Sequence, residues 1–320
     1  MQGKVSFIIP IGPGLRPDVC VASLRKLDFP RELMEVVVAE GKSPSEQRNK
    51  AAAEASGDIV YFLDDDVVVE PDLLEHTLHY YDDERVAVVG GPMVTPESDP
   101  LLARCFGYTM ESAIGAGSMR YRFRPIGGVR DADETHLVLC NLSCRRDYYL
   151  KEGGLHADLY PNEENEFFNR MASRGYRMIY DPKALVHHSR AGTISKIIRK
   201  NIGYGRGRME QILMQPSCFR PLFLMPTGFA AYLLSIIPVI LSTGWFFYIL
   251  PLLLYLTLTG LTSLKFALDR REFMVFPAMW LLYPIIHVSY GLGFVYGLFR
   301  KFMGCRTAGG SGIKISRVGL

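Results

Sequence analysis

No two cysteines of this chain are spaced C-x-x-C. The six stand apart at positions 20, 105, 140, 144, 218 and 305. That argues against a zinc knuckle or a dithiol redox motif, and for free thiols in a reducing compartment. The N-terminus also lacks a basic stretch followed by a long apolar run, and enters the strand-like VSFIIPI almost at once. No secretory leader is expected, and the N-terminal part is expected to stay in the cytoplasm. Strong net charge is missing: +3 over 320 residues gives no reason to expect a nucleic-acid partner. There is no G-x-x-x-x-G-K-[ST] phosphate loop. Gly12-Pro13-Gly14 follows a strand, but a dinucleotide fingerprint needs glycine at 17, where Pro17 stands; an ordinary turn fits better. Finally, the 44 residues from Pro221 to Leu264 contain no Lys, Arg, Asp or Glu.

That last absence sets the organisation. A membrane-crossing helix takes about 20 residues, so the uncharged run holds two passes that turn near residues 242–244. A second uncharged run of 27 residues, Phe273 to Phe299, contains His287. The expected parts are an α/β domain over 1–215, a membrane domain over 216–304 and a basic tail over 305–320. Basic residues flank every end: Arg190, Lys196, Arg199, Lys200, Arg206 and Arg208, then Lys265, Arg270 and Arg271, then Arg300, Lys301 and Arg306. The positive-inside rule places all three groups in the cytoplasm. Two passes satisfy the first two groups, whereas a third full pass would carry the tail outside. Residues 273–299 are therefore expected to form a third membrane segment or a re-entrant one.

The first 215 residues alternate strand and helix. VSFIIPI, MEVVVAE, DIVYFLD and RVAVVGGPMV are short, apolar and β-rich. Between the second and third, Ser43 suits an N-cap, Pro44 the first turn, and Glu46 a capping box. EPDLLEHTLHYYDD reads as a further helix beginning near Pro71. The alternation implies an α/β sheet with parallel pairing, whose ligands gather beyond the carboxyl ends of the strands. Asp64, Asp65 and Asp66 stand at such an end, as does Glu40.

Three adjacent carboxylates repel one another. Hard cations such as Mg2+ or Mn2+ favour carboxylate and phosphate oxygens, so Asp64 and Asp66 suit an ion that also holds a diphosphate. A solvated acidic turn ahead of the next helix accounts for the cluster equally well. A second acidic group, Glu163, Glu164 and Glu166, opens the helix in NEENEFFNR. Helix-dipole stabilisation and a Glu166–Arg170 pair explain part of it. A carboxylate at a helix start facing a cleft is also suited to be a general base.

Taken in order, VSFIIPI, VVVAEG, YFLDDD, NEENEFFNR and YDPKALVHH resemble the family-2 glycosyltransferases, inverting enzymes with the GT-A fold. The membrane-bound exopolysaccharide enzymes of the succinoglycan type are the nearest subgroup, through YGRGR, the apolar C-terminal third and HVSYGLGFVYGL. The resemblance implies a GT-A nucleotide-sugar-binding catalytic domain followed by transmembrane helices. It implies that Glu40 contacts the uracil or ribose, that Arg48 lies near the phosphates, and that Asp64, with Asp65 beside it, meets the nucleotide. Asp66 and Asp64 hold Mg2+ or Mn2+, Asn141 borders the sugar pocket, and Glu164 is the base with Glu163 as its neighbour and competitor. His188, with His187 as competitor, reaches the metal or diphosphate. Glu40 and Glu164 both stand where the family carries Asp. The family's processive members carry Q-x-x-R-W; IRKNIGYGRGR does not, which implies addition of a single sugar.

The expected partners are a nucleotide-sugar donor, a polyprenyl-diphosphate glycan acceptor and the membrane. Arg206 and Arg208 are candidates for the lipid phosphate, although basic residues here also serve to bind headgroups and set topology. For His287, lipid phosphate competes with a hydrogen bond between helices. The rival functions are a catalytically degenerate GT-A scaffold and a nucleotidyltransferase.

Overall fold

The computed structural model describes residues 3–303 and 312–320; Cys305 and Arg306 lie outside them. The strands are β1 (Val5–Ile11), β2 (Met34–Glu40), β3 (Ile59–Leu63), β4 (Val68–Val69), β5 (Val86–Gly90), β6 (Met93–Val94), β7 (Arg130–Asp131), β8 (Asn141–Arg145), β9 (Arg177–Tyr180), β10 (Val186–His187) and β11 (Lys314–Val318). The α-helices are α1 (Asp18–Leu24), α2 (Pro44–Glu54), α3 (Glu75–Leu78), α4 (Leu101–Glu111), α5 (Ala113–Ala116), α6 (Arg146–Lys151), α7 (Glu163–Ser173), α8 (Ile194–Met214), α9 (Met225–Thr243), α10 (Leu250–Asp269) and α11 (Val275–Phe302).

Contacts divide the chain into two compact units. One draws on Met1–Pro96, Ser118–Ser189 and Arg306–Leu320, the other on Glu97–Gly117 and Arg190–Cys305. Neither unit is a single run of sequence.

The first unit is an eight-stranded sheet in the order β11-β2-β1-β3-β8-β5-β9-β7, with a small sheet β4-β10-β6. β1 pairs in parallel with both β2 and β3. Its alternate residues enter opposite cores: Val5, Phe7 and Ile9 one, Ile8 the other. Burial on both faces is why these strands read as unbroken apolar runs. The sheet is mixed, in contrast to the parallel pairing expected. β8 runs antiparallel between β3 and β5, and β11 antiparallel on the edge at β2. β8 carries Asn141 and Ser143 among its core positions, so its composition hides it; the Ser143 hydroxyl is satisfied internally by donating to the Val89 carbonyl.

Pro44 opens α2 as expected, but the Ser43 side chain makes no capping bond. The helix expected from Pro71 is only one α-turn, Glu75–Leu78, with a 3-10 turn over His79–Asp82. Leu73 and Leu74 are spent in the core just before it.

In the second unit, three helical stretches are long and apolar enough to cross a membrane: Pro221–Thr243, Phe246–Asp269 and Val275–Arg300. α11 is one unbroken helix, with no turn back along its own path. The glycines of α8 and α11, and His287, serve helix packing. A Cβ on Gly205 of α8 would collide with the Tyr290 carbonyl of α11, and one on Gly293 with the Ile202 carbonyl. Glycines in GYGRG and YGLGF therefore let the two backbones touch. His287 is hydrogen-bonded between helices, to the Tyr255 hydroxyl at 2.8 Å and the Ile114 carbonyl at 3.1 Å.

Candidate functional site

The carboxyl ends of β1, β2 and β3 lie side by side, so the segments leaving them share one edge of the sheet. Glu40 ends β2, and its carboxylate accepts from the Gly14 amide at 3.0 Å. Gly14 has φ +75, which glycine adopts without cost. The buried Gln47 amide on α2 donates to the Ile11 and Ala39 carbonyls and pins that helix to the same edge.

The next residue, Arg48, is also buried. Its guanidinium meets Asp64 at 2.5 Å and Glu163 at 3.8 Å, joining the end of β3 to the start of α7. Both carboxylates hold the Arg48 guanidinium charged against the cost of burial. Burial pushes the Glu163 carboxyl up to about 7, against the opposing pull of Arg48. Burial first, and then the charges of Asp66 and Asp64, raise the Asp65 carboxyl above the usual carboxylate range.

Glu164, one residue along the helix, faces elsewhere. Arg122 donates to it at 2.7 Å and the Leu139 amide at 3.0 Å. Arg122 is itself buried, donating also to the Glu134 carbonyl and the Asn165 side chain. Successive helical residues diverge by about 100°, so the two acids take separate arginines. Glu166 pairs with Arg170 at 2.8 Å, as the i,i+4 spacing implies.

The two histidines also separate. His187 Nε2 contacts Glu70 at 2.6 Å, while His188 Nε2 contacts Asp66 at 3.2 Å. Extended backbone alternates its side chains, and His188 is the one turned to the acidic cluster. Its Nδ1 lies 3.7 Å from Cys140 Sγ. Donor atoms of Asp64, Cys140 and His188 all fall within 4.8 Å of one another, a set that fits a divalent cation.

Three expected site residues are otherwise engaged. Asn141 is fully buried; its amide donates to the Pro92 and Ala184 carbonyls and its oxygen accepts from Tyr61. That leaves none of its amide hydrogens for a sugar. Arg206 and Arg208 belong to the helical unit. Arg208 is buried, stacked over Phe223 and donating to Gln211 at 2.9 Å, and Arg206 lies 3.8 Å from Glu210. Nothing local in the sequence marks Arg122, Gln47 or Cys140. Their partners lie between 8 and 48 positions away, and only the fold brings them near.

Residues 34–128 match the protein family described as Glycosyl transferase family 2. A pre-mycofactocin glycosyltransferase of Mycobacterium tuberculosis is 27% identical over 194 residues, 60% of this chain and 40% of that protein. The chain thus spans two-fifths of that relative's length. A dolichyl N-acetyl-alpha-D-glucosaminyl phosphate 3-beta-D-2,3-diacetamido-2,3-dideoxy-beta-D-glucuronosyltransferase of Methanococcus voltae is 20% identical over 315 residues, 88% of this chain and 92% of the relative. Among solved structures, a mannosyltransferase from Pyrobaculum calidifontis in complex with GDP-Man and Mn2+ superposes with a TM-score of 0.59 at 15% identity. It covers 94% of this chain and 88% of that one. That likeness is one of fold. The α/β sheet domain resembles GT-A glycosyltransferases and is accompanied by apolar C-terminal helices, as the sequence implied.

Proposed function

We propose that this chain is a membrane-bound inverting glycosyltransferase. It moves one sugar from a nucleoside-diphosphate sugar, a UDP-sugar by preference, to a polyprenyl-phosphate-linked glycan in surface polysaccharide synthesis. The observation that carries the reading is the buried Arg48, which ties Asp64 to Glu163 across 99 positions of sequence. A structural ion pair needs one carboxylate; Arg48 gathers two, beside Asp66 and His188, at the sheet edge where such folds bind ligands. The Methanococcus voltae relative, named for a dolichyl phosphate substrate, favours a lipid-linked acceptor.

In this reading Glu40 and the Gly14 loop receive the nucleoside. Glu164, which is more exposed than Glu163, takes the proton from the acceptor hydroxyl. The freed oxygen attacks the anomeric carbon from the face opposite the nucleotide, the bond to the diphosphate breaks, and configuration inverts. Arg122 and the Leu139 amide hold the Glu164 carboxylate on its path. Asp64, Asp66 and His188 would hold Mg2+ or Mn2+, which when bound supplies charge stabilisation to the departing diphosphate.

The same reading places the catalytic unit in the cytoplasm, with α9 and α10 crossing as a hairpin and α11 not completing a third pass. β10 precedes the apolar helices and β11 follows them, and both belong to the sheet unit. A chain that leaves a folded unit and returns to it crosses the bilayer an even number of times. Of the apolar windows, that of α11 is 44% buried in protein, against 6% and 11% for the other two. The basic flanks agree, because two passes leave every one of them on one side.

The test is nucleotide release by the purified protein from a panel of nucleotide sugars, with and without polyprenyl-phosphate glycan. Acceptor-dependent release of a nucleoside diphosphate supports transfer. Release of pyrophosphate would indicate nucleotidyl transfer, and no turnover of any donor would leave a binding scaffold.

A further inference from the structure

We infer that Asp64, Cys140 and His188 form a site for a thiophilic divalent cation, Zn2+ or Co2+, with the Cys140 thiolate as a ligand. The sheet builds the site. Leu63 of β3 lies opposite Asn141 of β8, so the next residues outward, Asp64 and Cys140, flank the same strand ends. His188 comes in from the residue after β10, fixed by its amide bonding to the Val94 carbonyl at 3.0 Å. Cys140 is buried, and its sulfur also lies 3.2 Å from the Met93 thioether.

The distances match the chemistry. With Zn–S of about 2.3 Å and Zn–N of about 2.0–2.1 Å in tetrahedral geometry, the S···N edge is about 3.5 Å. Cys140 Sγ and His188 Nδ1 stand 3.7 Å apart. Directing Nδ1 at the ion leaves Nε2 to carry the proton, and Nε2 faces Asp66 at 3.2 Å. A carboxylate on the far nitrogen of a ligating histidine fixes the ring and its tautomer. Asp66 would therefore orient His188 for a soft ion, whereas a hard ion would take its oxygens directly. On binding, the Cys140 S–H bond breaks, its electron pair goes to the metal and its proton to solvent.

The site shares Asp64 and His188 with the donor site proposed above, and rests on that reading only for where the ion would act. Its test needs neither donor nor turnover. The metal-free full-length protein in detergent is titrated with Co2+ alone. The expected result is a near-ultraviolet thiolate-to-cobalt charge-transfer band that is abolished by Zn2+ and unaffected by Mg2+. Cys140→Ser and Cys140→Ala should lack it and bind Zn2+ at least about 100-fold more weakly, the upper end for loss of an outer partner alone. Asp66→Asn should keep the band and weaken binding about 10- to 100-fold. Thermal unfolding of each variant without metal reports on folding separately. Absence of the band in wild type, or an equal band in folded Cys140→Ser, would overturn the assignment. If Mn2+-supported nucleotide binding survived either result, the donor site would stand without a sulfur ligand.

Discussion

The acidic strand ends and the basic helix α8 carry comparable charge to opposite effect. At the sheet edge, charges from distant segments meet: Arg48 with Asp64 and Glu163, Arg122 with Glu164, His188 with Asp66. On α8 Arg206 and Arg208 find polar partners within a turn, Glu210 and Gln211, and Glu210 also draws a distant charge, Arg300 of α11 at 3.3 Å. Local pairing is what a helix offers any charge at i,i+3 or i,i+4. Long-range convergence of like carboxylates carries a repulsion that a local account does not repay, and it marks the region where a ligand is to be expected.

The sharpest break of this contrast lies between the adjacent glutamates. Glu164→Gln should lower turnover by about 100- to 10,000-fold, the usual contribution of a positioned base, while leaving nucleotide binding intact by calorimetry. Glu163→Gln should lose much less turnover; the reverse ranking would exchange their roles. Next comes Arg48→Ala, which strands two carboxylates, one of them buried. A loss of about 3–5 kcal/mol is expected by denaturant unfolding of the solubilised protein. A loss below about 1 kcal/mol would show that the pair behaves as an exposed one.

Smaller in effect is the pH response of Glu163. Its folded-state affinity for the proton is raised from 4.5 to about 7, so its contribution to stability is full below pH 4.5 and is lost as pH rises towards 7. The unfolding midpoint of wild type relative to Glu163→Gln should fall across that window; parallel profiles would contradict the assignment. Smallest is Arg206→Gln on α8. It should leave donor hydrolysis unchanged, and a large loss of acceptor-dependent transfer alone would return Arg206 to the lipid phosphate.

Much of the fold was legible because it obeys local periodicity. β1, β2, β3, α2 and α7 lie where apolar runs and helix signals put them, and the uncharged stretches became helices. β8 and β11 were hidden for a physical reason. An antiparallel strand inserted from a long loop carries no crossover signature, and β11 is a charged edge strand, KISRV, whose only message is its pairing with β2. The site divides similarly. The acids could be named from the sequence, but which of Glu163 and Glu164 meets Arg48, and which histidine meets Asp66, depends on side-chain direction. Arg122 and Cys140 needed the fold itself. The glycines of α8 and α11 bring the two helix backbones together, a role that only the packed structure reveals.

The central claim is a cation–diphosphate pocket around the strand-end acids. Asp66 is the acid to remove, because its side chain is 55% exposed and its loss leaves the Arg48 cluster in place. Titration calorimetry of UDP into wild type and Asp66→Ala, each with and without Mn2+, tests the claim most directly. Binding strengthened by Mn2+ in wild type and not in the variant is the predicted result; identical Mn2+ dependence in the two proteins would contradict it.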